Sequence, residues 1–392
     1  MRAHKALMES STSPLKLSLL RGQTLLDIEA LIYSISKSRA DFLEVWLATE
    51  LGPHLFKDTL IASLFAYAAR HGKHLRVIDW TASPTIEHIH ERFGTTLEGL
   101  ASLEFATEIV DAQKVNLGPH IHNLRFAAIE KNGIRTPEKA GGKTLTFCAF
   151  DPELPTPLGF VGSEGKASFI RRLLGARKDF FEIGVGEGFS HRVAQSADHA
   201  VAGFAYELWQ NGIQHGRFDA QQNPITGMRY LRLRKHVGLD RTQFVSRAAG
   251  FPELQLYLER ETAASKKLKF YEVSIADSGI GIVDRFLATR PEFSSTVASA
   301  ADHSTLINRI INESLTSKLN QAGAGHGLEQ AILAVRELNG FLSLRTGFSW
   351  LYYAPGQEQT SAGVLELRTV KYDAPLACIG TQINLIYPLM EQ

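Results

Sequence analysis

Cysteine is nearly absent: Cys148 and Cys378 are the only two in 392 residues, far apart and outside any CxxC spacing. That excludes a disulfide scaffold and a cysteine-based zinc site, and leaves both thiols as small buried apolar side chains in a reducing compartment. Neither sign of charge is in real excess, since 42 Lys and Arg face 41 Asp and Glu for a net +1. Bulk electrostatics therefore gives no indication of nucleic acid or an anionic membrane as partner. No apolar run approaches the length that spans a bilayer, and the basic N-terminus runs into polar ESSTS rather than a signal core. A cytoplasmic protein is the expectation. No internal repeat or low-complexity tract is present. What remains, 44% hydrophobic and 21% charged, is the make-up of a globular chain long enough for two domains.

The first 110 residues alternate strand and helix signals. LKLSLL, FLEVWLA (Phe42 to Ala48) and HLRVIDW are strand-like, and helical spacing runs from Leu25 to Ile35, from about Leu55 to Ala69, and again after Ser83-Pro84. This order predicts a small α/β domain over residues 1–110. Residues 111–164 are turn-rich (NLGPH, KNGIRTPEKAGGK, DPELPTPLG) and read as a connector with short strands such as TLTFCAF. A larger domain over 165–392 follows, opening with the helical stretch ASFIRRLLGARKDFF.

Three stretches of that domain carry chemistry. FAYELWQNGIQHG has apolar residues at three- and four-residue intervals and ends at Gly216, so Glu207 and Asn211 project one turn apart from one stripe of a helix. Taken alone, the spacing also fits a polar surface helix. KFYEVSIADSGIGI reads as a buried strand ending at Asp277, where Gly279 and Gly281 leave room beside a carboxylate for a flat heterocycle with an exocyclic amino group. Asp-Ser-Gly is also ordinary turn chemistry. In GAGHGLEQAILAVRELNG, Gly323, Gly325 and Gly327 precede a helix beginning at Leu328 whose face is Leu328, Ile332, Val335 and Leu338. Free N–H groups and the positive dipole end at such a start suit phosphate oxygens. The dinucleotide-binding βαβ unit is not indicated, because FLSLRTGFSWLYY reads as an antiparallel hairpin. Between these stretches MRYLRLRKH alternates as a half-exposed strand with Arg232, Arg234 and Lys235 on a solvated face, and one helix is expected from about Gln243 to Ala264. His215 reads as a helix-terminal cation or a core histidine.

In order, ELWQNGIQHG, ADSGIGI, GAGHGL and the closing GTQINLIYP resemble the N box, the two glycine boxes and the last strand of the GHKL, or Bergerat-fold, ATPase superfamily. The resemblance covers roughly residues 165 to 392. It implies a two-layer α/β sandwich, a mixed sheet covered by helices on one face, binding ATP and Mg2+. It further implies Asn211 as the magnesium ligand, Glu207 as the residue that orients and deprotonates the attacking group, and Asp277 with Thr381 as acceptors for adenine. Gly279 and Gly281 would line the base, and Gly323, Gly325, Gly327 and Leu328 would hold the phosphates. A polar lid over about 283–322 would carry Lys318 to the terminal phosphate.

No phosphoacceptor-histidine helix pair precedes the domain, since the surroundings of His191 and His199 lack the usual acidic neighbour and proline. The Glu-x3-Asn-x3-His-Gly spacing is closer to anti-sigma-factor serine kinases. Those act on STAS proteins, and the stretch FKDTLIASLFAYAARHGKHLRVIDW resembles a STAS helix-strand core with Asp58-Thr59 as its opening pair. An ordinary N-capped helix between strands is the simpler reading of Asp58-Thr59. The expectation is an ATP-hydrolysing regulatory protein whose nucleotide state closes the lid and controls a contact with a protein partner or a second copy. The alternatives are a serine or histidine protein kinase of anti-sigma-factor type and a non-hydrolysing nucleotide sensor.

Overall fold

The structure is a computed structural model. It describes residues 13–49, 51, 54–130, 133–137, 142–153, 165–181, 191–263, 268–297, 299–313, 315, 326–356, 366–371 and 378–388. It is an α/β protein with two sheets, as expected: one of four parallel strands and one of eight.

The N-terminal unit runs β1 (Leu15–Leu19), α1 (Leu25–Lys37), β2 (Phe42–Leu47), α2 (Lys57–Arg70), β3 (His74–Asp79), α3 (Ile86–Thr95), α4 (Leu97–Phe105) and β4 (Glu108–Val110), with α5 (Gly118–Ile121) and α6 (Leu124–Glu130) after it. Its strands are parallel in the order β1-β2-β3-β4, each joined to the next by a helical crossover as parallel pairing requires. Thr24 and Asp27 form a reciprocal capping box that starts α1. Helix α2 is different from a surface helix. Every residue from Lys57 to Ala68 is buried, because α2 lies between its own sheet and the second one.

The second sheet takes β5 (Ile134–Pro137), β6 (Lys143–Asp151), β7 (Gly227–Leu239), β8 (Leu268–Asp277), β9 (Phe341–Gly347), β10 (Ser349–Tyr353), β11 (Arg368–Thr369) and β12 (Cys378–Pro388) in the order β11-β10-β9-β12-β8-β7-β6-β5. Every pairing in it is antiparallel, so the expectation of a mixed sheet is corrected. Strands β5 and β6 come from the stretch read as a connector and sit at one edge of this sheet. The period-two alternation of β8 divides the molecule. Tyr271, Val273 and Ile275 face a core built with α7 (Lys166–Phe181), α8 (His191–His215), α11 (Ile282–Thr289), α12 (Ala300–Asn312) and α13 (His326–Glu337). Phe270 and Ala276 face the opposite core, shared with α2, α9 (Arg241–Ser246) and α10 (Pro252–Ala263). Helices therefore cover both faces rather than one.

Three local expectations are also corrected. Where one helix is expected from about Gln243 to Ala264, the described residues form two, α9 and α10, broken at Gly250 with φ +87°. Arg232 and Arg234 are not a solvated face. Both pair with Asp58 of α2, and Arg345 of β9 is likewise held by Glu29 of α1 at 2.7 Å. The first thirty residues of the expected lid are not a polar strap but α11, a 3-10 helix (Pro291–Thr296) and α12, whose Val283, Phe286, Leu306, Ile307 and Ile311 belong to the core. Both cysteines are free and buried, as expected. Among the described residues no helix is long and apolar enough to cross a membrane.

Candidate functional site

Helix α8 buries Val201, Ala202, Phe204, Ala205, Leu208 and Trp209 against the sheet. That leaves Glu207 and Asn211, one turn apart, partly exposed along a cavity of about 320 Å³. The same cavity is lined by Asp277 at the end of β8, Gly281 beyond it, Thr381 of β12, and Gly327 and Leu328 in the first turn of α13. Four segments far apart in sequence thus meet at one opening. Ile275, Ile383, Phe286 and Ile310 give it apolar walls, as a site for a planar ring needs.

The turn after β8 is built on close backbone approach. A Cβ on Gly279 would stand 2.7 Å from Gly216 Cα, and one on Gly216 would stand 2.5 Å from Asp277 Cβ. The end of α8 is thereby seated directly against the Asp277 turn. Gly279 N–H donates to Asp277 Oδ1 at 2.9 Å. Thr381 is the cross-strand partner of Asp277, and its backbone N–H also donates to that carboxyl. Burial pushes the Asp277 carboxyl up to about 6. The two backbone donors and Arg229 oppose that rise without cancelling it. Arg229 is itself engaged by Asp151 through bonds of 2.8 and 3.0 Å.

At the other end, Lys166 Nζ of α7 donates to Glu207 Oε1 at 2.7 Å. Glu207 Oε2 lies 3.0 Å from where a Cβ on Gly327 would be, so the start of α13 comes close to the carboxylate. Glu207 is thus placed between an ammonium and the positive end of a helix.

Of the expected site residues, Glu207, Asn211, Asp277, Gly281, Gly327, Leu328 and Thr381 come together around the cavity. Gly279 supports the turn from behind, against Gly216, and is not among the lining residues. Lys318, Gly323 and Gly325 lie outside the described residues. His215, the last residue of α8, also lines the cavity. Three participants were not foreseen. Lys166 has no sequence signal, because its partner is 41 residues away. Arg229 was hidden in an apolar strand pattern. Arg285 did leave a trace: it is a charge on the stripe of α11 that carries Ile282 and Phe286.

Comparisons of the chain with family models, with curated proteins and with solved structures give no match. Among the described residues no group of three His, Cys, Asp or Glu side chains is placed to hold a metal ion. One carboxamide, Asn211, and one carboxylate, Glu207, line the cavity on successive turns of α8. A donor set this small does not cage an ion; it fits a hard divalent cation such as magnesium that keeps most of its shell as water and other oxygen ligands.

Proposed function

We propose that the cavity binds an adenine nucleotide with magnesium and that the protein is an ATP-hydrolysing regulator of GHKL type. The observation that carries this reading is the convergence of Glu207, Asn211, Asp277, Gly327 and Thr381 on one cavity with apolar walls. Asp277 accepts from the exocyclic amino group of adenine while the backbone of Gly279 and Thr381 fixes its carboxyl. Asn211 would hold magnesium through its amide oxygen, and the bound ion would offset phosphate charge. Gly327 and Leu328 bring the first turn of α13 up to the phosphates. Glu207 orients the attacking water and takes its proton at a carboxylate oxygen once the Lys166 ammonium lets it go. Because α11 and α12 belong to the core, the nucleotide state is read out through the Asp277 turn. Arg70 at the end of α2 donates to Ser278 O there at 2.7 Å, which joins the site to the N-terminal unit and to any partner it holds.

Transfer of phosphate to this chain's own Asp58-Thr59 pair is disfavoured by the arrangement. The Thr59 hydroxyl is buried and engages Phe56 O and Asn384 Oδ1 on the sheet face opposite α8. Calorimetric titration with ATP and magnesium tests the reading: the wild type binds and Asp277→Asn does not. Glu207→Gln then retains binding and releases no phosphate. A wild type that fails to bind ATP ends the proposal, and one that binds with no turnover in either form leaves a nucleotide sensor.

A further inference from the structure

Among the described residues the other buried arginines have carboxylates: Arg229 has Asp151, Arg92 has Glu98, Arg345 has Glu29, and Arg234 has Asp58 and Glu272. Arg285 is the exception. It is 9% exposed and lines the cavity, yet among the described residues no carboxylate stands within ion-pair distance of it. Its Nη2 donates to Gln222 Oε1 at 2.8 Å. Its Nε and Nη1 are shut off from solvent and have no hydrogen-bond partner among the described residues. The two cavity carboxylates are committed elsewhere, Glu207 to Lys166 and Asp277 to backbone N–H groups. Burial draws the guanidinium below the usual arginine range, and no neighbouring charge counters it.

A guanidinium taken out of water without an anion is costly. A site tolerates that cost where the ligand itself brings the anion, and the planar donor fork then binds it strongly. Resting on the adenine-nucleotide reading, we infer that Arg285 is the anion receptor of this cavity, binding a phosphate group of the nucleotide and selecting nucleoside polyphosphates over nucleosides. Gln222 holds one edge of the fork and so sets its orientation. Asp277 and Thr381 read the base, and Arg285 reads the charge attached to it. The charge on the α11 stripe is visible in the sequence, but its pairing with Gln222, 63 residues away, is not.

The test uses the full chain, as wild type, Arg285→Gln and Arg285→Lys, titrated with ATP and magnesium, with adenosine, and with inorganic tripolyphosphate. Arg285→Gln is expected to weaken ATP and tripolyphosphate by about 10- to 100-fold, the range for losing a charge-assisted bond. Adenosine affinity stays within about twofold, which also checks that the variant is folded. Arg285→Lys keeps the charge without the fork and falls between; should the glutamine variant not fold, this one carries the comparison. ATP affinity unchanged in the variants overturns the anion receptor and leaves the adenine reading intact. Tripolyphosphate binding that depends on Arg285, with no binding of adenosine and no advantage for ATP, overturns the adenine reading and leaves the receptor. A wild type that binds none of the three overturns both.

Discussion

Replacing Asp58 with asparagine removes the one carboxylate that α2 presents to the second sheet. Both Arg232 and Arg234 donate to its Oδ2, and the side chains of all three are at most 12% exposed. Burial alone would raise this carboxyl. Arg232 and then Arg234 outweigh it and hold the group well below the usual carboxylate range. Without Asp58, Arg234 still has Glu272 at 3.5 Å and Thr144 at 3.3 Å, whereas Arg232 loses its carboxylate. Breaking a buried pair costs about 3–5 kcal/mol, and the retained Glu272 contact places Asp58→Asn near the low end, about 3 kcal/mol. With a urea slope near 3 kcal/mol per molar, that is a midpoint shift of roughly 1 M. The sign of the pH dependence follows from the depressed pKa. The contribution is fully present above the unfolded carboxylate value and is lost only as pH falls through the lower folded one. The difference between wild type and variant should therefore stay constant from about pH 5 to about pH 8. Urea unfolding followed by tryptophan fluorescence measures it, with Trp46 and Trp80 in the N-terminal unit and Trp209 and Trp350 in the other. Adding Arg232→Met to Asp58→Asn should restore most of the loss, since an apolar side chain tolerates the buried position that an unpaired guanidinium does not. A single-variant loss under about 1 kcal/mol, or a double variant worse than the single, would refute the reasoning.

With its carboxyl raised to about 6, Asp277 protonates as pH drops through that value, so ATP affinity should be level above about pH 7 and about tenfold weaker at pH 5. A residual affinity in Asp277→Asn that followed the same pH profile would assign the titration to another group. Gly279→Ala drives a Cβ into Gly216 backbone and should cost about 1–3 kcal/mol in thermal or urea unfolding; a neutral effect would mean the turn has slack. Ile307→Ala deletes a fully buried side chain of α12 and should cost about 2–4 kcal/mol without nucleotide, whereas an unpacked lid would lose almost nothing. Arg70→Gln removes the bond to Ser278 O and should change ATP affinity by about two- to tenfold in titration calorimetry. No change there would disconnect α2 from the site.

Much of the fold was legible because it rests on short-range periodicity. The strands LKLSLL, FLEVWLA and HLRVIDW, the helix ending at His215 and the hairpin of β9 and β10 were all readable from residues two, three or four apart. The same signals also misled. Alternation in MRYLRLRKH is that of a half-exposed strand, yet both of its faces are covered. The polar residues from Val283 onward suggested a strap, but Leu306, Ile307, Ile310 and Ile311 repeat at helical spacing and are buried. Weighing that apolar stripe above the Ser and Thr content would have given α12 from sequence.

What local patterns cannot carry is the identity of a partner. Asp58 and Arg232 are 174 residues apart, Asp58 and Arg234 are 176, and Glu29 and Arg345 are 316. Each residue taken alone looks like a solvated charge. The polar face of the second sheet is buried only because α1 and α2 supply matching carboxylates and because Gln382 and Asn384 meet the backbone carbonyl and hydroxyl of Thr59. Polar contacts of this kind add little to stability compared with an apolar interface of the same area, but they admit few alternative alignments. One consequence is positional. The register that places Asp58 over Arg232 and Arg234 also places the last residue of α2, Arg70, at the carbonyl of Ser278. The N-terminal unit is thereby fixed to the turn that presents Asp277, and a shift of α2 along the sheet would break the ion pairs and the Ser278 contact together.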